Sequence, residues 1–186
     1  IKIDKINVSS KEFEINQLKK IIIKTKPSNL NSLIINKVEN GKLTSNLEFY
    51  FNDNQEINNF IVKGEVVEMD AIINKNLNLI NTSFNFFADS SDILVKSISG
   101  KTDGFEIKNG NIRIDKNEGT NLELELNTEI LINKDNVNKY LPFSKNIKLI
   151  NNSTNFSANL DHFLKISFDK TYKVNDFTYT NKGLVE

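Results

Sequence analysis

The residues able to do chemistry are few and badly spaced for it. His162 is the only histidine and there is no cysteine. No Ser-His-Asp triad, thiol nucleophile or histidine-based metal cluster can be assembled around a single imidazole. Its place beside Asp161, between the runs Phe156–Leu160 and Leu164–Phe168, predicts a surface residue at a turn. Asp115-Lys116-Asn117-Glu118-Gly119 has the flavour of a calcium loop. It has Gly119 where a further oxygen ligand belongs and Thr120 where the loop needs glycine, so it reads as a polar turn. Glu123 and Glu125 are two carboxylates on one side of a strand, facing water rather than each other across a cleft as glycoside hydrolysis requires. Asp53 and Glu56 belong to a hairpin tip around Asn52–Gln55. Neither a glycine-rich phosphate loop nor a dinucleotide fingerprint is present. The expectation is a protein that is not an enzyme, with no cofactor and no metal, acting through a surface.

Charge narrows the partner. Lys plus Arg number 24, as do Asp plus Glu, and Arg113 is the one arginine. Nucleic-acid binders draw their affinity from a basic excess that is missing here, so no nucleic-acid partner is expected. The longest apolar runs, such as Ile21-Ile22-Ile23, fall far short of the roughly 20 residues that span a bilayer. The chain starts at Ile1 with nothing like a signal peptide, and reads as a piece of a longer protein whose targeting signal or anchor lies elsewhere.

The elements that would carry such a surface are strands. Leu122, Leu124, Leu126, Thr128, Ile130 and Ile132 alternate with Asn121, Glu123, Glu125, Asn127 and Glu129. A strand places the first set on one face, whereas a helix scatters it. Leu43, Leu47, Phe49 and Phe51 alternate with polar neighbours, and Phe60, Val62 and Val66 do so around Gly64. Leu77 and Leu79 give way to Phe84 and Phe86 with a change of parity, which predicts a bulge or bend. Asn109-Gly110, between Phe105–Ile107 and Ile112–Ile114, predicts a hairpin turn; Asn40-Gly41, between Leu33–Val38 and Leu43–Phe51, predicts another. Phe156–Leu160, Leu164–Phe168 and Phe177–Tyr179 supply further strands. Residues 9–20 fit strand or helix equally. Val137, Tyr140 and Leu141, capped by Asn133 and stopped by Pro142, predict one short helix near 134–141.

The result is an all-β reading: about a dozen strands in a long antiparallel meander, joined by connections too short for parallel crossovers. The chain is a single segment, with a first strand block about 1–132, the short helix, and a second block about 146–186. Alternation alone fits a β-sandwich, in which two sheets bury their apolar faces on each other. It fits equally one curved, taco-like sheet with an apolar groove, and two features favour that sheet: the strands are long and follow one another in simple order, and the apolar positions are rich in Phe, Leu and Ile. Such a groove is lined by Leu43, Leu47, Phe49, Phe51, Phe60, Val62, Phe84, Phe86, Leu122, Leu124, Leu126, Ile130 and Ile132.

The succession Leu33–Val38, Gly41, Leu43–Phe51, Phe60–Val67, followed by Leu122–Ile132, the helix ending Tyr140-Leu141-Pro142, Ile147–Ile150 and a second meander, resembles the AsmA-like family of the TamB and YhdP type. The resemblance covers most of the chain. It implies a segment of a bridge-like lipid-transfer protein, periplasmic, in a parent anchored in the inner membrane. It implies phospholipid as ligand, carried toward the outer membrane, with adjoining segments of the parent chain pairing with the sheet edges. The alternative is a structural or adhesive β-sandwich or β-solenoid domain of a cell-surface protein.

Overall fold

The computed structural model describes residues 2–75, 77–102, 104–116, 119–132, 156–169, 171 and 173–185. The predicted helix near 134–141 and the strand Ile147–Ile150 lie outside these. The elements are β1 (Lys5–Ser9), β2 (Phe13–Glu14), α1 (Ile15–Ile22), α2 (Asn29–Lys37), β3 (Val38–Phe51), β4 (Ile57–Asn74), β5 (Leu77–Ala88), β6 (Asp92–Lys101), β7 (Glu106–Asp115), β8 (Thr120–Ile132), β9 (Phe156–Phe168) and β10 (Val174–Val185). All strands belong to one sheet of ten in the order β1-β3-β4-β5-β6-β7-β8-β9-β10, with β2 beside β3. Every pairing is antiparallel. The antiparallel meander is therefore observed, with ten strands among the described residues. Among the described residues there is no second sheet, so the sandwich is replaced by a single open layer.

Several local expectations are overturned. Leu33–Val38 is not a strand: α2 runs to Lys37, started by Ser28, whose hydroxyl accepts the Asn31 N–H at 3.1 Å. Residues 9–20, which fit strand or helix equally in sequence, contain both: the end of β1 at Ser9, the two-residue β2 and the start of α1. Neither Asn-Gly is a hairpin turn. Asn40-Gly41 lies inside β3, where Gly41 has φ of 129° and the pairing with β4 shifts register. Asn109-Gly110 lies inside β7, and Leu126 of β8 packs over Gly110. The left-handed conformation that Asn and Gly tolerate at a turn also serves a β-bulge, and in β3 the bulge uses it.

Bulges are a system here. Register shifts fall at Val38–Lys42 in β3, Val66–Ala71 in β4, Ile80–Asn85 in β5 and Ile107–Asn109 in β7. Glu68, Asn81 and Ser97, in β4, β5 and β6, have φ of 54°, 49° and 55°. The parity change expected between Leu79 and Phe84 is thus found at Asn81. Each extra residue would turn all later side chains to the other face. Because neighbouring strands bulge at neighbouring points, the apolar set stays on one face across the seam. Side chains satisfy the amides left over: Glu68 N–H donates to Ser83 Oγ (3.3 Å), Asp70 N–H to Asn40 Oδ1 (2.9 Å) and Asn81 N–H to Asp70 Oδ1 (2.8 Å).

The compact core sits at one end of the apolar face. Ile15 of α1 packs with Val38, Leu43, Val66, Met69 and Ala71, and Leu18 and Ile34 join from the helices. The inner face of α1 is Ile15 with Leu18 because helical side chains three and four apart stack on one side.

Candidate functional site

Strand register, read partner by partner, assembles one row of side chains across the sheet. Val8 pairs with Leu47, Leu47 with Val62, Val62 with Ala88, Ala88 with Ile93, and Ile93 with Ile114. Ile114 pairs with Leu122, Leu122 with Ile166, and Ile166 with Phe177. Directly opposed residues of antiparallel strands point to the same side, so every strand from β1 to β10 apart from β2 gives this row an apolar member. A second row runs Phe86, Val95, Ile112, Leu124, Leu164 and Tyr179.

The residues expected to line a groove lie on this face: Leu47, Phe49, Phe51, Phe60, Val62, Phe84, Phe86, Leu122, Leu124, Leu126 and Ile130, with Leu43. For Ile132, what is described is its pairing with Phe156. Leu43 is buried beneath α1 and belongs to the core, as Phe84 and Phe86 partly do. The others are half-buried or, like Phe60, exposed. Sequence reading missed the rest of the face: Val8, Ala88, Ile93, Val95, Ile112, Ile114, Leu164, Ile166 and Phe177. Most of these stood in alternating runs already visible, but which runs share a face depends on register.

Ile98, Ile107, Ala158, Thr82 and Thr128 on this face are 7 %, 5 %, 4 %, 1 % and 2 % exposed. The helices pack on β2, β3 and β4, well away from Ile107, Thr128 and Ala158. Among the described residues the side chains around these positions come from neighbouring strands, and bulges that curl a sheet toward one face bring such side chains together.

The opposite face is mostly polar, with an apolar patch where Phe87 of β5 pairs with Leu94 of β6. Glu123 and Glu125 point to this opposite face, and Lys165 Nζ lies 2.9 Å from Glu123 Oε1. Lys108 bridges Glu106 and Glu129 at 3.1 and 2.7 Å. Such open pairs contribute little stability each; their consequence is a solvated back to the sheet. Hollows of about 400 and 480 Å³ open on this side, among Asn111, Glu125, Asp161 and Lys182, and among Lys96, Arg113 and Glu123. A twisted sheet is saddle-shaped, so hollows on one face do not oppose curling toward the other. Among the described residues no three His, Asp or Glu side chains gather as a metal site, and no helix is long and apolar enough to cross a membrane.

His162 corrects the sequence reading. It lies within the continuous strand β9, half-buried on the apolar face opposite Leu126. The parity of Ala158, Leu160, His162, Leu164 and Ile166 carried that signal. Its Nε2 is 2.8 Å from Thr128 Oγ1 and its Nδ1 is 2.8 Å from Tyr179 Oη. Burial pushes its pKa below the ordinary histidine range, against a smaller upward pull from Asp161. A depressed histidine pKa means the unfolded chain takes up a proton that the folded one resists. Stability from this group is therefore intact above the unfolded pKa of about 6.5 and declines as pH falls below it. Urea midpoints at pH 7.5 and 5.5 should differ less in His162→Gln than in the parent chain; an equal difference would assign the pH dependence to other groups.

Comparison with protein-family models, with curated proteins and with solved structures finds no match to this chain.

Proposed function

We propose that this chain is a lipid-carrying segment of a bridge-like lipid-transfer protein of the AsmA-like kind, and that its apolar sheet face holds phospholipid acyl chains. In this reading the segment works in the periplasm, in a parent anchored in the inner membrane, and lipid passes along the sheet toward the outer membrane. The observation that carries the proposal is the apolar row from Val8 to Phe177, which crosses the sheet unbroken while, among the described residues, the helices cover one end of the face. Nine paired strands at about 4.8 Å span roughly 40 Å. Each methylene moved from water onto such a surface contributes about 0.8 kcal/mol. The face is continuous carbon in its first row, so an acyl chain can slide without breaking hydrogen bonds.

Native mass spectrometry of the segment purified from bacteria, with lipid extraction and identification, tests this. Co-purifying phospholipid is expected. It should be lost when Phe49, Leu124 and Leu126 are changed to Asp with circular dichroism unchanged. Phe60→Asp and Phe177→Asp, at positions 37 % and 59 % exposed, provide milder variants should the triple change unfold the sheet. A folded chain that carries no lipid would move the reading to a structural or adhesive domain.

A further inference from the structure

We propose that the tip of the α1–α2 hairpin docks on an anionic phospholipid bilayer. Residues 15–37 contain Lys19, Lys20, Lys24, Lys26 and Lys37 and no Asp or Glu, in a chain whose 24 basic and 24 acidic residues cancel. Positive charge is thus concentrated on one small element and the compensating negative charge lies elsewhere. The nearest acids in sequence, Glu14 and Glu39, bracket the hairpin at its base.

The charge is free to act outward. Lys19 is engaged within the fold, its ammonium donating to the Val38 carbonyl. Lys20, Lys24 and Lys26 are exposed, and among the described residues none of them forms an ion pair. Between them stand two exposed apolar side chains: Ile21 is 59 % exposed and Ile23 66 %. With Ile15 and Leu18 turned to the core, Gln17, Lys20, Ile21 and Lys24 share the outer side by helical spacing.

The tip is built rather than loose. Thr25 Oγ1 donates to the Ile22 carbonyl at 2.7 Å, and Asn31 Nδ2 donates to Thr25 Oγ1 and the Lys26 carbonyl at 3.0 and 3.1 Å. Exposed isoleucines ringed by unpaired lysines match a lipid surface, where the apolar side chains enter the acyl boundary and the ammonium groups meet phosphates. This inference does not rest on lipid occupying the sheet face.

Sedimentation with vesicles separates the two. The chain should bind vesicles of equal parts phosphatidylglycerol and phosphatidylcholine, weakly bind phosphatidylcholine alone, and release as salt is raised. Changing Lys20, Lys24 and Lys26 together to Gln should weaken binding about a hundred-fold, at roughly five-fold per lysine. Ile21→Ser with Ile23→Ser should weaken it at least ten-fold. Lys182→Gln, on the polar sheet face, should leave it unchanged. All these positions are exposed, and circular dichroism checks each fold. Equal binding to both vesicle types, or an equal loss from Lys182→Gln, would overturn the proposal. So would vesicle binding that survives the tip variants and disappears in Phe177→Asp, because the sheet face would then be the contact. Loss of co-purified lipid in Phe177→Asp with vesicle binding intact supports the tip.

Discussion

Gly64→Ala should lower the unfolding free energy by about 3 kcal/mol, roughly a hundred-fold in the folding constant. Gly64 sits in the middle of β4 with strands on both sides. A Cβ built there would lie 2.1 Å from the Thr44 carbonyl oxygen of β3 and 2.7 Å from Cζ of Phe86. The first neighbour is backbone in a paired strand, which moves only if the β3–β4 ladder opens. The second is an aromatic ring resting in the space the glycine leaves, opposite it in register. Ring and glycine form one unit: the bare backbone gives Phe86 a place to lie, and Phe86 shields a strand position that lacks its own side chain. Urea unfolding should show a lower midpoint at unchanged slope. A loss under about 1 kcal/mol would mean that the three strands part locally at little cost.

How much of this was legible in the sequence follows from which interactions are local. Alternation within one strand is local, and Leu122–Ile132 and the parity change before Phe84 were read correctly from it. Termination is local only when one residue type has one use. Asn-Gly has more than one use: at Gly41 positive φ serves a bulge as it would a turn, and at Gly110 the bare backbone makes room for Leu126 of the next strand, so neighbouring strands decide the outcome. Leu33–Val38 carries apolar residues that suit a strand, but the Ser28 cap and the layer beneath α2 select a helix. The sequence does carry a local signal for that helix, a serine cap at Ser28 just after Pro27, which the apolar run that follows obscures. His162 is a different case: a lone polar residue between two apolar runs reads as punctuation, although its parity matches the apolar set on either side.

The site was half legible. Each apolar residue could be assigned to a face of its own strand, but whether those faces join is a question of register. The Val8-to-Phe177 row exists because eight successive pairings agree, with bulges in β3 to β7 compensating one another. No single window of sequence contains that agreement. For the same reason alternation alone fits one sheet and two sheets equally, and the long strands in simple order are what point to the single sheet observed.

Ile15→Ala should cost about 3 kcal/mol where α1 meets the sheet, because Ile15 is 4 % exposed and fills the centre of the core cluster. Its Cδ1 lies 2.9 Å from where a Cβ on Gly41 would be, so the side chain reaches the β3 bulge itself. The helices touch β2, β3 and β4, whereas β8, β9 and β10 are held by their own ladders. The loss should therefore be local. Hydrogen exchange should quicken in α1, α2 and the Val38–Leu43 part of β3 and stay slow in β8 and β9. Uniform acceleration across the sheet would show that the helices stabilise the whole layer. The same variant bears on function, since loosening α1 uncovers Leu43, Val66 and Met69 at the end of the apolar face. If acyl chains lie on that face, Ile15→Ala should co-purify more lipid than the parent chain; unchanged lipid with faster exchange in α1 would place the acyl chains on the open strands β6 to β10 alone.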